Sequence, residues 1–169
     1  MAEHRIGFEV VEREVRKKSF GILSVVDSKG RPHSTGILYG VSPPQSKLAF
    51  YIISGSRYTK VRHIKRNPNV SLVVTFPHYY IRFAPASYAM FRGAADFASI
   101  DDEEVQWAFR QKRILRMNID TVLEEYEIVV IRILPEPTVF CYGIGMGLNE
   151  LRKSHEIGSY KVRIPDHRL

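Results

Sequence analysis

Lys47-Leu48-Ala49-Phe50-Tyr51-Ile52-Ile53-Ser54-Gly55-Ser56-Arg57-Tyr58-Thr59-Lys60-Val61-Arg62-His63-Ile64-Lys65-Arg66-Asn67-Pro68-Asn69-Val70-Ser71-Leu72 is the stretch on which the reading of this chain turns. Leu48 to Ile53 is an unbroken apolar run of strand length, and Ser54-Gly55-Ser56 has the residue types of a turn. Tyr58, Val61 and Ile64 recur at helical spacing, which predicts a short helix with an apolar stripe and its basic residues pointing elsewhere. Asn67-Pro68 ends that helix, because the residue before proline is pushed out of the α region. Val70 to Phe76, rich in β-branched residues, predicts the following strand. A turn running into a helix start leaves backbone N–H groups unpaired where the macrodipole adds partial positive charge, and Arg57 and Lys60 follow at once. A phosphate suits such a place. The plainer alternative is a solvated basic face.

Working outward, 169 residues with 44% hydrophobic and 11% aromatic content are enough for one domain with a core, here taken as residues 1–169. The net charge of +7 and a pI near 9.6 point to an acidic partner: a phosphorylated cofactor, nucleic acid or an anionic surface. Arg57, Lys60, Arg62, Lys65 and Arg66 crowd into ten residues without one acidic neighbour. Cys141 is the sole cysteine, so an intrachain disulfide is excluded; its strand-like neighbours Val139, Phe140 and Tyr142 mark it as a small core residue. No window approaches the roughly 18 apolar residues of a membrane helix, and the N-terminus lacks an apolar signal region. A cytoplasmic protein without a membrane partner is expected.

Residues 7–18 place Phe8, Val11 and Val15 at helical spacing, an N-terminal amphipathic helix within residues 1–18. Strands are predicted at 20–26, 32–41, 48–53, 70–76, 88–98, 127–134 and 138–142, the last two divided by Pro135-Glu136-Pro137. Asp27-Ser28-Lys29-Gly30 suits a hairpin turn. Phe76, Tyr79, Tyr80, Phe83 and Tyr88, in and around a proline-containing segment, either cover something apolar or pack at an interface. Asp101, Asp102, Glu103 and Glu104 open a helix reaching about Met117, and residues 144–169 are left as a C-terminal tail. Many short strands with few helices and no βα alternation predict a mainly β fold, a six- or seven-stranded antiparallel barrel.

Gly143-Ile144-Gly145-Met146-Gly147 lacks the βαβ setting of a nucleotide loop and is read as a turn. The histidines show no ligand spacing, so no protein-built metal site is expected. No Ser-His-Asp order or nucleophile elbow occurs. A phosphate cradle on a barrel without a nucleophile leaves the difficult chemistry to a cofactor.

The Lys60 to Asn67-Pro68 spacing followed by Val70-Ser71-Leu72, together with Gly30-Arg31-Pro32 opening the second strand and Phe91-Arg92-Gly93-Ala94-Ala95 in the fifth, resembles the pyridoxamine 5'-phosphate oxidase-like family of FMN-binding split barrels over roughly residues 18–134. The resemblance implies that Ser56, Arg57 and Lys60 hold the FMN phosphate, that Thr35, Gly36 and Ile37 pass the flavin ring, and that Tyr51 to Ser54, Ile53 included, contact ribityl and phosphate. It places Tyr88 where relatives often carry a Gln near the cofactor, and Thr35 near the place of an Arg. It also implies a homodimer with the cofactor between subunits, an FMN-dependent oxidoreductase acting on a small molecule, and no nameable catalytic residue. A deazaflavin coenzyme, or haem in some branches, can take the place of FMN, so a deazaflavin-dependent reductase is the runner-up. A non-catalytic flavin or nucleic-acid binder is the rival, disfavoured because the basic helix carries only Tyr58 as an aromatic. The tail has no Trp, and Asp166-His167-Arg168 only weakly echoes the Arg-x-His clamp of the oxidases acting on pyridoxamine phosphate.

Overall fold

The computed structural model describes residues 6–77, 86–117, 127–151 and 158–169. A single residue sets the shape of the sheet. Strand β2 (Pro32–Leu38) and strand β3 (Gly40–Val41) are separated by Tyr39 alone, yet they lie at opposite ends of the strand order β2-β1-β5-β6-β7-β4-β3. Seven flat strands about 4.8 Å apart would set these ends roughly 29 Å from one another, whereas the two residues from Leu38 to Gly40 reach only about 7 Å. The sheet therefore has to curl until its ends meet. The other strands are β1 (Phe20–Val26), β4 (Phe50–Gly55), β5 (Asn69–Phe76), β6 (Ser87–Ala98), β7 (Ile128–Tyr142) and β8 (Ser159–Arg163), which pairs with β7. All pairings among the described residues are antiparallel, the mainly β antiparallel barrel that the turn and strand pattern predicts and the split form that the family resemblance implies.

Closure is incomplete, and the gap positions the site. Among the described residues, β2 is bonded on one edge only, to β1. β4 pairs with β7 throughout, but with β3 only at Phe50 and Tyr51. The outer edges of β2 and of β4 from Ile52 to Gly55 thus face one another across a split with their ladder groups available.

The interior packs around Phe50, whose ring lies 4.8 Å from Phe91 and 5.8 Å from Tyr39. Helix α1 (Phe8–Lys17) buries Phe8, Val11 and Val15 against this core as its spacing predicts, and the Tyr39 hydroxyl donates to the Val15 carbonyl at 2.7 Å. A second cluster, Tyr51, Val105, Ala108, Phe109, Leu115 and Val130 among others, lies beneath helix α3 (Glu103–Arg110). Asp102 caps α3 by accepting from the Glu104 and Val105 N–H groups. The helix expected through Met117 is interrupted at residues 111–112, and residues 113–117 are helical again. The interruption lets the Lys112 ammonium donate to the Lys18 carbonyl at the end of α1.

Two expectations about strands are corrected. β7 runs through Pro135-Glu136-Pro137 rather than stopping there, because its outer edge changes partner at that point, from β4, whose first residue Phe50 lies opposite Ile133, to β8, whose last residue Arg163 lies opposite Thr138. Proline is tolerated where no ladder donor is required. The tail supplies β8, and Arg168 within it is 3% exposed. Its guanidinium donates to the carbonyls of Pro43, Pro44 and Ser46 and to the Glu12 carboxylate. The tail is structural, tying α1 to the loop before β4. Gly143 and Gly145, at φ +67° and +74°, occupy a turn after β7, in keeping with the reading of that glycine run. Cys141 is buried, and burial pushes its thiol up to about 12. Tyr79, Tyr80 and Phe83 lie outside the described residues.

Gly93 sits opposite Pro135 where the β6–β7 register shifts, and a Cβ there would lie 2.2 Å from the Leu134 carbonyl oxygen. Gly93→Ala should therefore destabilise the chain by about 2–3 kcal/mol, the scale of overpacking against backbone. Urea denaturation checks this; a midpoint unchanged from wild type would contradict the close approach.

Candidate functional site

Helix α2 (Thr59–Arg66) begins immediately after β4 and the Ser56–Tyr58 turn, so the sheet edge delivers the helix start to the split. Val61 and Ile64 anchor α2 to the core. Tyr58 departs from the expected stripe: it stands at the N-cap, 56% exposed, with its ring against Gly55, where a Cβ would meet it at 3.2 Å. The Tyr58 N–H donates to Gly55, while those of Val61 and Arg62 donate to the Tyr58 carbonyl. Among the described residues, nothing accepts from the N–H groups of Arg57, Thr59 or Lys60. These are the orphan donors of a helix start, with no side-chain cap to occupy them.

Two cations stand beside them. Lys60 is half-buried, with its ammonium 4.9 Å from the centre of the Tyr58 ring, and burial pulls its pKa below the ordinary lysine value. A partly desolvated ammonium without a carboxylate gains from an anion more than a solvated one does. Arg57 is exposed and has no ion-pair partner among the described residues. Lys65 faces another direction, its ammonium 5.9 Å from the Phe97 ring on β6.

Across the split, β2 offers Thr35, Gly36 and Ile37. The Thr35 hydroxyl is buried without a hydrogen-bond partner, an orphan that ordinarily has a reason to persist. Gly36 is exposed beneath the Phe20 ring, which a Cβ would meet at 2.9 Å. Ile37 turns into the core. His33 of β2 and His63 of α2 approach edge to face, ring centres 5.8 Å apart, which fixes α2 alongside the β2 edge.

The remaining predicted residues are distributed differently. Ser54 is 4% exposed at the end of β4. Tyr51 and Ile53 turn to the cluster under α3, and the Tyr51 hydroxyl donates to Glu104 at 2.9 Å. Only their backbone is at the β4 edge. Ser56 is at the turn, but its hydroxyl donates to the Glu127 carboxylate at 3.1 Å, and its N–H to the Glu127 carbonyl. Tyr88 lies on β6, three strands from β2, stacked on Tyr142 with ring centres 5.9 Å apart. Strand β4 and helix α2 thus bring Ser54, Ser56, Arg57 and Lys60 together, with β2 alongside through the His33–His63 contact, and leave Tyr88 apart within one chain. Sequence reasoning did not find His33, His63 or Glu127, since only the pairing of distant strands brings them to the split.

Tyr88 belongs to an apolar stripe across the outer face of the sheet. Cross-strand register sets Ile22, Val73, Met90, Phe140 and Lys161 in one row. Arg92 and Lys161 both sit over the Phe140 ring, at 4.6 and 5.1 Å, while Phe20, Ile22 and Tyr88 are exposed. Contiguous exposed apolar surface of this kind marks an interaction face.

The pyridoxamine 5'-phosphate oxidase family matches residues 9–134. No curated protein matches the chain. Among solved structures, the chain is similar to the haem storage protein HutZ from Vibrio cholerae (21% identity, TM-score 0.64, covering 83% of this chain and 98% of that one). It is similar also to a haem-binding protein from Mycobacterium smegmatis (13%, TM-score 0.68, 84% of this chain and 56% of that one), and to General Stress Protein 26 from Bacillus anthracis (17%, TM-score 0.60, 92% and 97%). At these identities the likeness is one of fold.

Glu127 places a negative charge beside the Ser56 hydroxyl of the turn. Glu127→Gln should tighten binding of inorganic phosphate at this turn about two- to fivefold, the scale of one exposed charge pair. Isothermal titration measures this, and weaker binding would mean that the carboxylate belongs to the site rather than opposing it.

Proposed function

We propose, because this chain belongs to the pyridoxamine 5'-phosphate oxidase family, that it binds FMN in the split between β2 and β4 and acts as an oxidoreductase on a small molecule. The observation that carries the reading is the start of α2, where the N–H groups of Arg57, Thr59 and Lys60 have no acceptor, and neither the Arg57 nor the Lys60 side chain has an anionic partner, among the described residues. These residues fit a phosphate. Arg57 would grip it with a planar fork, and Lys60 would add a compact charge beside the helix dipole. The unpaired edge of β2 at Thr35 to Ile37, and the orphan Thr35 hydroxyl, offer the hydrogen-bonding groups that the polar edge of a flavin ring requires. Ser56 would have to leave Glu127 to join the phosphate.

When bound, the flavin supplies hydride or electron transfer. The protein would position it, the start of α2 holding the phosphate and the unpaired β2 edge offering N–H groups to the ring where negative charge develops. A small barrel whose edges are open on one side cannot enclose such a ring alone. The apolar row through Ile22, Val73, Met90 and Phe140 suits a second copy, which would bring its Tyr88 toward the cofactor and make the assembly a homodimer. A deazaflavin coenzyme carries the same phosphorylated ribityl chain and would use the same groups.

His33 and His63 favour a second reading. Imidazole is a common iron ligand, this pair stands at the same split, and two structurally similar proteins are named for haem. A visible spectrum of the purified protein separates the readings: flavin bands support the first, a Soret band that His63→Ala abolishes supports the second.

Lys60→Ala should weaken FMN binding by about 1.5 kcal/mol or more, roughly tenfold, since it removes a charge-assisted bond from a partly dry site. Lys65→Ala should leave it within about twofold. Titration at two salt concentrations tests the contrast, and equal losses in the two variants would reduce the helix to a diffuse basic face. Light scattering should give twice the chain mass; a monomer that retains stoichiometric FMN would contradict the shared site.

A further inference from the structure

The ends of α1 and α3 and strand β3 line a pocket of about 220 Å³, open on one side to solvent, that the flavin reading does not use. Tyr39, Val41, Trp107 and Leu115 supply apolar walls, and Arg16 and Lys112 are its charged residues. The charge around it is unbalanced. Glu12 is shared between Arg16 at 2.6 Å and Arg168 at 2.8 Å. Lys112 donates to a neutral acceptor, the Lys18 carbonyl, and has no carboxylate partner among the described residues.

We propose that this cavity binds a small monocarboxylate with a flat apolar body, its carboxylate on Lys112 and Arg16 and its ring against Trp107 and Leu115. An engineered apolar cavity of about 150 Å³ takes up benzene, so the volume here accommodates a ring together with its carboxylate. The apolar walls disfavour a second charge on the ligand, which would be buried unpaired.

Lys112 gives the site a measurable signature. Burial, then repulsion from Arg16 and Lys18, holds its pKa down to about 8. Those two cations and Glu12, already bonded to Arg16, are the charged groups that bear on it from α1. A bound carboxylate relieves the repulsion and raises the pKa, so binding draws a proton onto Lys112 wherever part of it is neutral. At pH 8 uptake should approach about half a proton; at pH 6, where Lys112 is charged already, it should vanish.

Isothermal titration of the full chain with sodium benzoate, and with benzyl alcohol as a neutral analogue, tests the proposal in two buffers of different ionisation enthalpy. Benzoate should bind one per chain and at least tenfold more tightly than the alcohol, with proton uptake at pH 8 only. Lys112→Gln should erase the preference for benzoate. Lys112→Arg keeps the charge and the contact to Lys18, so it should bind benzoate without uptake, which guards against a Gln variant that fails to fold. Equal affinity for acid and alcohol in the wild type, or undiminished uptake in Lys112→Arg, would overturn the assignment.

Discussion

The link from β2 to β3 through Tyr39 is the constraint on which the structure depends. The chain must pass between the two ends of a seven-strand path within one residue, so the sheet curls, and the residue that makes the passage is held from several sides. Tyr39 is fully buried, packs edge to face on Phe50 and donates its hydroxyl to the last turn of α1. Burial raises the phenol's pKa far above its ordinary value, so that bond keeps its proton at any working pH. What results is a barrel that meets itself without sealing. The unbonded edge of β2 and the last residues of β4 are the product of that geometry, and α2 starts where β4 ends.

Placing a helix start at an unsealed edge concentrates polar groups that elsewhere would find partners. Backbone donors and two cations stand together there, while the neighbouring core is apolar and well packed. Water can satisfy such groups at a modest cost, but an anion with several oxygens satisfies them together and answers the charge as well. The net positive charge of the chain is therefore less informative than its location. Lys65, which leans on Phe97, carries the same formal charge as Lys60 without the same surroundings.

The legible part of the fold was the part with local causes. The α1 stripe, the Asp27–Gly30 hairpin, with Asp27 accepting from the Lys29 and Arg31 N–H groups, and strands β1, β5 and β6 follow from spacing and turn chemistry. The turn and helix start were legible for the same reason, since Ser54 to Lys60 is one continuous segment. Non-local features escaped. Pro135-Glu136-Pro137 reads as a break because sequence does not record that β7 changes its outer partner there. β8 carries one buried residue, Val162, too little for a periodic pattern. Arg168 falls in the stretch read as a C-terminal tail with a weak echo of a substrate clamp, whereas carbonyls of Pro43, Pro44 and Ser46 surround it. Tyr51 turned to Glu104 rather than to the split because alternation along β4 sends it to the face covered by α3, a helix distant in sequence.

The central claim is that the start of α2 is built for a phosphate carried by a flavin. Titrating the wild-type chain with FMN and with riboflavin, followed by quenching of flavin fluorescence, isolates that group, because the ligands differ only there. Charge-assisted bonds are worth about 1.5–3 kcal/mol each, so FMN should bind at least tenfold more tightly, with the advantage shrinking only partly as salt is raised. Equal affinities for the two ligands would contradict the account.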